Sequence, residues 1–389
     1  LSGSQTLSPA LPKAIEPLIP PFRISEFIFE KQYKKISGLA IDRRLNILAP
    51  NVWKALREEE NVAQMNKASA IVMAGYNNKW AVKKYAKIIA EHYGETFIET
   101  GYKPLREFEI IENGRPVKKP LIQFTLEQLF QCNRIGDITI VGHQMLLEQR
   151  LKDFLNQSGR SYRIINQNTR IPTDVIKAFH IRPRKVKHNS IAGNMIKGYA
   201  ASAASEQKRH ALFVASDSPL TTSVFIDYFL DLAENFATEN TIILPAVLIS
   251  GTTDNFGRYP MKLINDSDFQ LSDETDAHGR QGFRLSSLMY ANPFGFDINT
   301  ANTAYNLRKC LNPKVQLRLF RITRNLGYKN VYSKHFIQKD LSLKEVENIT
   351  SAFFDGRLKI IPVQEVDSSY DYDGTDDEYR RLADILRKN

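Results

Sequence analysis

Five short apolar runs constrain this chain more than any other feature. Ala68–Ala74, Ile138–Val141, Tyr162–Ile165, Leu212–Ala215 and Thr241–Ile249 are each of strand length and end in glycine or polar turn residues. Their apolar residues are largely consecutive rather than alternating, which is what a strand buried on both faces requires. Between them lie segments with apolar residues at helical spacing. Trp80 to Tyr93 carries Val82, Tyr85, Ile88 and Ile89 and stops at Gly94. Leu121–Phe130, Met145–Leu155, Ala192–Ala204 and Ser223–Ala233 follow the same rule, and Thr221 and Thr222 offer a start for the last. Strands alternating with helices over 30 residues or more predict an α/β fold: a three-layer, Rossmann-like architecture with a mixed, mainly parallel sheet.

The alternation weakens after residue 250. Residues 251–300 are rich in Gly, Asn, Asp and Ser and predict long loops and hairpins. Helices are expected over 299–311, 314–326 and 343–354, a late strand over 357–363, and a charged terminal helix over 375–388. The organisation predicted is an N-terminal arm and helical extension over 1–65, an α/β core over 66–250, an insertion over 251–356, and a strand and helix over 357–389 that complete the core. The extension offers a route to oligomers.

With 389 residues the chain can bury a sizeable core. No uninterrupted apolar run approaches the roughly 18 residues of a membrane span. Two cysteines, Cys132 and Cys310, cannot make a disulfide framework or a zinc site; buried small hydrophobes in a reducing cytoplasm are expected. The histidines show no pair at metal spacing. A net charge of +10 favours anionic partners. The densest cationic cluster, Arg182-Pro-Arg-Lys-Val-Lys-His188, comes without a zinc-finger spacing or an aromatic RNA-binding consensus. A phosphate-rich small ligand is therefore expected rather than nucleic acid.

The chemistry concentrates in Ala211-Leu-Phe-Val-Ala-Ser-Asp-Ser-Pro-Leu220. A buried strand runs straight into Asp217, and in open α/β sheets ligands sit beyond the carboxyl ends of the strands. Asp217 there either helps to hold a metal–phosphate group or caps the next helix. Three further segments belong with it. Ile71-Val-Met-Ala-Gly-Tyr-Asn-Asn-Lys79 ends a strand in a glycine loop, where backbone N–H groups can approach a phosphate. Gly101-Tyr-Lys-Pro-Leu105 brings Lys103, a candidate phosphate neutraliser, and leads to Asn113-Gly-Arg-Pro-Val-Lys-Lys-Pro-Leu-Ile122. Val366-Asp-Ser-Ser-Tyr-Asp-Tyr372 places Asp367 beyond the late strand.

The order of these segments resembles the nucleotidyltransferase family of molybdenum-cofactor guanylyltransferases, alcohol-phosphate cytidylyltransferases and sugar-phosphate pyrophosphorylases. Met73-Ala-Gly75 is similar to the start of the family's glycine loop, and Lys103-Pro-Leu105 to its Lys-x-Leu. Gly114-Arg-Pro116 with Leu126-Glu-Gln-Leu129 matches its Gly-Lys-Pro block, and Asp217-Ser-Pro-Leu220 its Asp-x-Pro-Leu. Asp367-Ser-Ser-Tyr-Asp-Tyr372 matches the last motif. The resemblance covers about residues 66–250 and 357–388. It implies a glycosyltransferase-A-like fold that binds a nucleoside triphosphate and transfers its nucleoside monophosphate to a small phosphorylated metabolite, with release of pyrophosphate. It implies Mg²⁺ on Asp217 and Asp367, catalysis by these acids and Lys103, and nucleotide contacts from Ala74, Gly75, Asn77, Lys79 and Asn194. Arg284 and Asn292 are candidates for the acceptor. The chain departs from the pattern at Tyr76, where the family has glycine, at Lys79, where it has arginine, and in the added residues 80–100. Two alternatives stay open: a glycosyltransferase using a nucleotide sugar, against which Asp217-Ser-Pro counts because it is not Asp-x-Asp, and a nucleotide-binding protein without turnover.

Overall fold

Four of the five apolar runs become buried strands; the fifth, Tyr162–Ile165, forms the edge strand of the sheet and has no buried residue, because only one of its sides meets a neighbouring strand. The computed structural model describes residues 67–76, 87, 102–249, 263–264, 282–308, 320–321, 323–325, 327–330, 334, 342–364, 370, 372 and 374–388. These belong to one compact unit, Met65–Asn389. In chain order the elements are β1 Ala68–Ala74, β2 Glu107–Glu112, β3 Arg115–Pro120, α1 Leu121–Gln131, β4 Ile135–Gly142, α2 Gln144–Gln157 and β5 Ser161–Asn166. Then come α3 Thr173–Ala178, α4 Ile191–Ala200, α5 Ala203–Glu206, β6 Ala211–Ala215, α6 Ser223–Glu234, β7 Thr241–Ile249, β8 Leu263–Ile264, β9 Gly282–Leu285 and β10 Leu288–Ala291. The last are α7 Ile298–Arg308, α8 Leu343–Phe354, β11 Arg357–Val363 and α9 Asp376–Lys388. Of the expected helix at 80–93 only Lys87 is described, in helical conformation; Cys310 and the arm over 1–65 lie outside the described residues.

The fold is mixed α/β with a mostly parallel central sheet of order β5-β4-β1-β6-β10-β7-β9-β8, with β11 beside β7. β5, β4, β1 and β6 run parallel in register, Val72 lying opposite Ile140 on one side and Val214 on the other. Successive β1 side chains feed opposite layers. Ala70 and Val72 pack under α1, α2 and α6 with Leu126, Leu147, Phe229 and Leu230. Ile71 packs on the other face with Ile196, Tyr199 and Phe213. Fully burying a side chain such as Ile71 or Val72 contributes roughly 1.5–3 kcal/mol. A smaller third cluster joins hairpin β2–β3 to α9 through Phe108, Phe124, Tyr372, Leu382 and Leu386.

Four expectations change. The single helix over 192–204 is two, because Ser69 and Asp137 accept from Ala204 N–H and Ala203 N–H and so start α5 afresh. The loop-rich stretch 251–300 contains β10, which pairs antiparallel with both β6 and β7 and lies inside the sheet. The insertion over 251–356 is thus not wholly apart from the core, since Ile298, Ala301, Leu343, Val346 and Ile349 of α7 and α8 pack on its second face. Finally, Asn113-Gly114 is a hairpin tip with φ of 50° and 74°, a left-handed pair that suits asparagine and glycine. The helix begins only at Leu121 after Pro120, so the Lys-Pro-Leu that precedes a helix is Lys119-Pro-Leu121, not the segment at 114–116. Lys119 is nearly buried there and pairs with Glu112 and with Glu127 at 2.7 Å, tying hairpin to helix.

Candidate functional site

The strand order opens a crevice between β1 and β6. From β1 the chain goes to β4 and β5 on one side, whereas β6 lies on the other. Connections therefore leave the two strands in opposite directions at their carboxyl ends, where an open α/β sheet can admit a ligand. β1 ends at Ala74 and Gly75, β4 at Gly142, β5 at Asn166 and β6 at Ala215, two residues before Asp217.

On the β6 side, Asp217 is ion-paired through one carboxylate oxygen, Oδ2, with the Lys103 ammonium. Lys103 also donates to the Tyr372 carbonyl at 2.7 Å, and Tyr372 N–H donates to the Asp217 carbonyl at 3.0 Å. The turn Lys103–Leu105 and the approach to α9 thus converge on the tip of β6. Asp217 Oδ1 accepts no hydrogen bond among the described residues. Asp217 is not the helix cap: Thr222 is, accepting from Phe225 N–H at 3.2 Å. Ser218 is fully buried and its hydroxyl meets that of Ser287 in the link between β9 and β10, which braces the Asp217 turn.

On the β1 side, the Tyr102 hydroxyl donates to the Ala74 carbonyl at 2.6 Å and accepts from His143 N–H at 3.1 Å, joining the ends of β1 and β4. Burial pushes this phenol far above its usual pKa, so it keeps the proton it donates. Tyr76 N–H donates to Gln167 Oε1 at 3.0 Å, and its ring stacks on His143 at 5.9 Å and meets Tyr102 edge-on at 5.6 Å. The bulk at the glycine position is thereby turned onto an aromatic cluster. Asn194, in the first turn of α4, is almost fully buried; its Nδ2 lies 2.8 Å from where a Cβ on Gly75 would stand. Among the described residues its Oδ1 has no hydrogen-bond partner, as is also true of His143 Nδ1. Buried polar atoms are ordinarily satisfied, so both atoms, beside Gly75 and Tyr76, are open to a further polar partner.

One turn along α4, the buried Lys197 ammonium donates to the carbonyls of Asn166 (3.3 Å), Gln167 and Thr169 (3.2 Å). It clamps the loop that carries Gln167. Burial lowers its pKa to about 8. The folded value lies below the unfolded one, so the unfolded chain binds more protons between about pH 8 and about pH 10 and this group adds stability as pH rises through that window. Lysine-selective NMR is expected to find a titration midpoint near 8; a midpoint near 10.5 would contradict the buried clamp.

Of the residues expected from sequence, the structure brings Ala74, Gly75 and Asn194 to one side of the crevice and Lys103 and Asp217 to the other. Asn77, Lys79 and Asp367 lie outside the described residues. Arg284 is on β9 opposite Val247; β9 lies along the same edge of β7 as β10, and Ser287 in the link between them meets Ser218 beside Asp217. Asn292 lies at the opposite end of the strands: it follows Ala291, which pairs with Ala211 at the start of β6. Its amide is spent on Lys208 O, Tyr199 Oη and Phe294 N–H, a local bracing role away from the crevice. Tyr102, Gln167, Lys197 and Tyr372 were missed. Only Gln167 carried a signal, standing just past a parallel strand. Cys132 is buried against Asp227 and its thiol is pushed up to about 12, an inert packing group. Among the described residues no helix is long and apolar enough to cross a membrane.

No protein-family model matches the chain, and no curated protein matches its sequence. Among solved structures it is similar to 4-diphosphocytidyl-2C-methyl-D-erythritol synthase from Anaerococcus prevotii, at 12% identity and a TM-score of 0.39 over 83% of this chain and 99% of the other. CMP:2-keto-3-deoxy-manno-octonic acid synthetase, solved in complex with CTP, gives 10% identity and a TM-score of 0.40 over 83% and 99%. HddC from Yersinia pseudotuberculosis gives 12% identity and a TM-score of 0.39 over 82% and 99%.

Proposed function

We propose that the protein is a nucleotidyltransferase that moves a nucleoside monophosphate from a nucleoside triphosphate to a small phosphorylated metabolite. The observation that carries this reading is the Lys103–Asp217 pair at the switch point, facing Gly75 and the orphaned Asn194 Oδ1 across one crevice. The order of sequence motifs supports it independently. In this reading the nucleobase edge meets Asn194 and Gln167, and the triphosphate passes Gly75. Lys103 neutralises phosphate oxygens while Asp217 holds its ammonium in place. A phosphate oxygen of the acceptor attacks the α-phosphorus. The new P–O bond forms as the bond to the β-phosphate bridging oxygen breaks, and pyrophosphate leaves with that electron pair. The attacking group is already anionic, so no strong general base is required; positioning and charge neutralisation carry the rate.

The donor set is compatible with Mg²⁺, because Asp217 Oδ1 has no competing partner among the described residues. Mg²⁺ takes one or two carboxylates and fills its octahedron with water and phosphate. No group of three or more His, Cys, Asp or Glu side chains suited to a metal occurs among the described residues, so Asp217 would hold it with the ligand's own oxygens. When bound, Mg²⁺ would add charge neutralisation at the triphosphate. Asp367 is proposed as the second acid from its motif alone.

The test is thermal unfolding with each of the four common nucleoside triphosphates, with and without Mg²⁺. A ligand that binds only the folded chain at 100 times its Kd stabilises it by about 2.7 kcal/mol. One triphosphate is expected to raise the midpoint, and more so with Mg²⁺; no shift with any of them overturns the reading. With an acceptor present, release of pyrophosphate supports transfer of the nucleotide. Release of a nucleoside diphosphate from a nucleotide sugar, with no pyrophosphate from any triphosphate, would instead assign a glycosyltransferase.

A further inference from the structure

The cationic segment 182–188 is a fixed surface, not a loose loop. Ile181 and Val186 are buried at 6% and 2% exposure and anchor its two ends. Within it, Lys185 N–H and Val186 N–H donate to the Arg182 carbonyl at 2.8 and 3.0 Å. From α7, Asn299 Oδ1 accepts from Arg182 N–H at 2.7 Å and Asn302 Nδ2 donates to the Lys185 carbonyl at 2.8 Å. With the backbone held this way, Arg182, Arg184, Lys185 and Lys187 are all exposed. Among the described residues none of the four side chains makes an ion pair or a hydrogen bond. From 168 to 190 the sole acid is Asp174. Four unneutralised charges on a rigid frame repel one another.

The segment also stands at the mouth of the crevice. It leads into α4, whose Gly193 packs directly on the Lys187 carbonyl and 2.8 Å from the His188 carbonyl, measured from where a Cβ would stand. The next residue, Asn194, touches Gly75. Lys187 is therefore placed beside the nucleotide side of the site, with Arg182, Arg184 and Lys185 continuing outward from it. No phenylalanine, tyrosine or tryptophan lies between 182 and 188, which leaves the surface without a large bilayer-inserting group and makes charge its main means of attraction.

We infer that Arg182, Arg184, Lys185 and Lys187 form an electrostatic steering surface that captures the polyphosphate of the incoming nucleoside triphosphate and guides it to the crevice. This rests on the nucleotidyltransferase reading and names how its charged substrate arrives. Cations lining the approach to a site raise the association rate of an anionic ligand by about 10- to 1,000-fold, and salt removes the effect.

The experiment is stopped-flow binding of ribose-labelled fluorescent analogues of the four nucleoside triphosphates. The full chain is compared with a variant carrying Arg182→Gln, Arg184→Gln, Lys185→Gln and Lys187→Gln. At low ionic strength the variant is expected to associate about tenfold more slowly. The two proteins converge to within about twofold at high salt, where the Debye length falls to a few ångströms. Dissociation rates and melting temperature stay unchanged, because none of these side chains braces the fold. Equal association rates at low salt, with the parent chain binding normally, overturn the steering surface and leave the proposed function standing. Failure of the parent chain to bind any triphosphate overturns both. Salt-sensitive binding of duplex DNA that disappears in the variant, while triphosphate association does not change, assigns the surface to nucleic acid instead.

Discussion

Under the proposed function, Asp217→Asn is expected to lower nucleotidyl transfer by about a thousandfold while leaving the fold intact. The substitution keeps the shape of the side chain and removes its charge. The Lys103 ammonium then loses its ion pair with Asp217 and keeps the Tyr372 carbonyl at 2.7 Å, so its hold where a phosphate would need it is weakened. The oxygen available to a cation also becomes part of a neutral amide. The backbone bond from Tyr372 N–H to the Asp217 carbonyl is untouched. The pair is partly exposed, with side-chain exposures of 31% and 20%, and ion pairs open to water contribute only about 0–1 kcal/mol. Stability should therefore change little while turnover collapses. Pyrophosphate release and the melting temperature, read on the same preparation, separate the two effects. Turnover within tenfold of the parent chain would remove Asp217 from the mechanism.

Gly142→Ala is expected to cost about 3 kcal/mol of stability, the upper range for overpacking a tight site. The position has an ordinary backbone conformation, so the penalty comes from space. A Cβ would stand 2.6 Å from the Ala74 carbonyl and 2.8 Å from Leu147 Cδ1, and closer still to the Tyr102 hydroxyl. A leucine methyl can turn away, but the Ala74 carbonyl is the last backbone group of β1, paired in register with Gly142. Relief would require the ends of β1 and β4 to separate. That would break the Tyr102 bridge and shift Gly75, so nucleotide affinity should fall together with stability. Urea unfolding is expected to show a lower midpoint at an unchanged slope. A loss below about 1 kcal/mol would mean that the two strand ends are not held as tightly as the contacts require.

The sequence showed much of the local structure and about half of the site. α8 at 343–354 and β11 at 357–363 lie where periodicity and turn chemistry put them, because both signals act within a few residues. Asp217 could be singled out because it stands just past the carboxyl end of a buried strand, and Lys103 because the short Lys-Pro-Leu segment around it matches a motif. Tyr102 and Lys197 could not. Their roles depend on carbonyls at the ends of other strands, and nothing near them in the chain announces those partners.

By itself, then, the sequence determined the alternation of strands and helices, the two buried faces of the parallel strands and the placing of an acid beyond β6. Those properties follow from burial and hydrogen bonding over short stretches. Only the tertiary structure decided the order of the strands, and with it the switch point between β1 and β6. It also drew β10 from a polar, loop-rich stretch into the gap between β6 and β7, where two strand edges needed partners. It brought Lys103 to Asp217 across 114 residues and to Tyr372 across 269. Contacts at such separations are chosen by whether whole layers pack and satisfy their backbone groups together, and no local pattern records that choice.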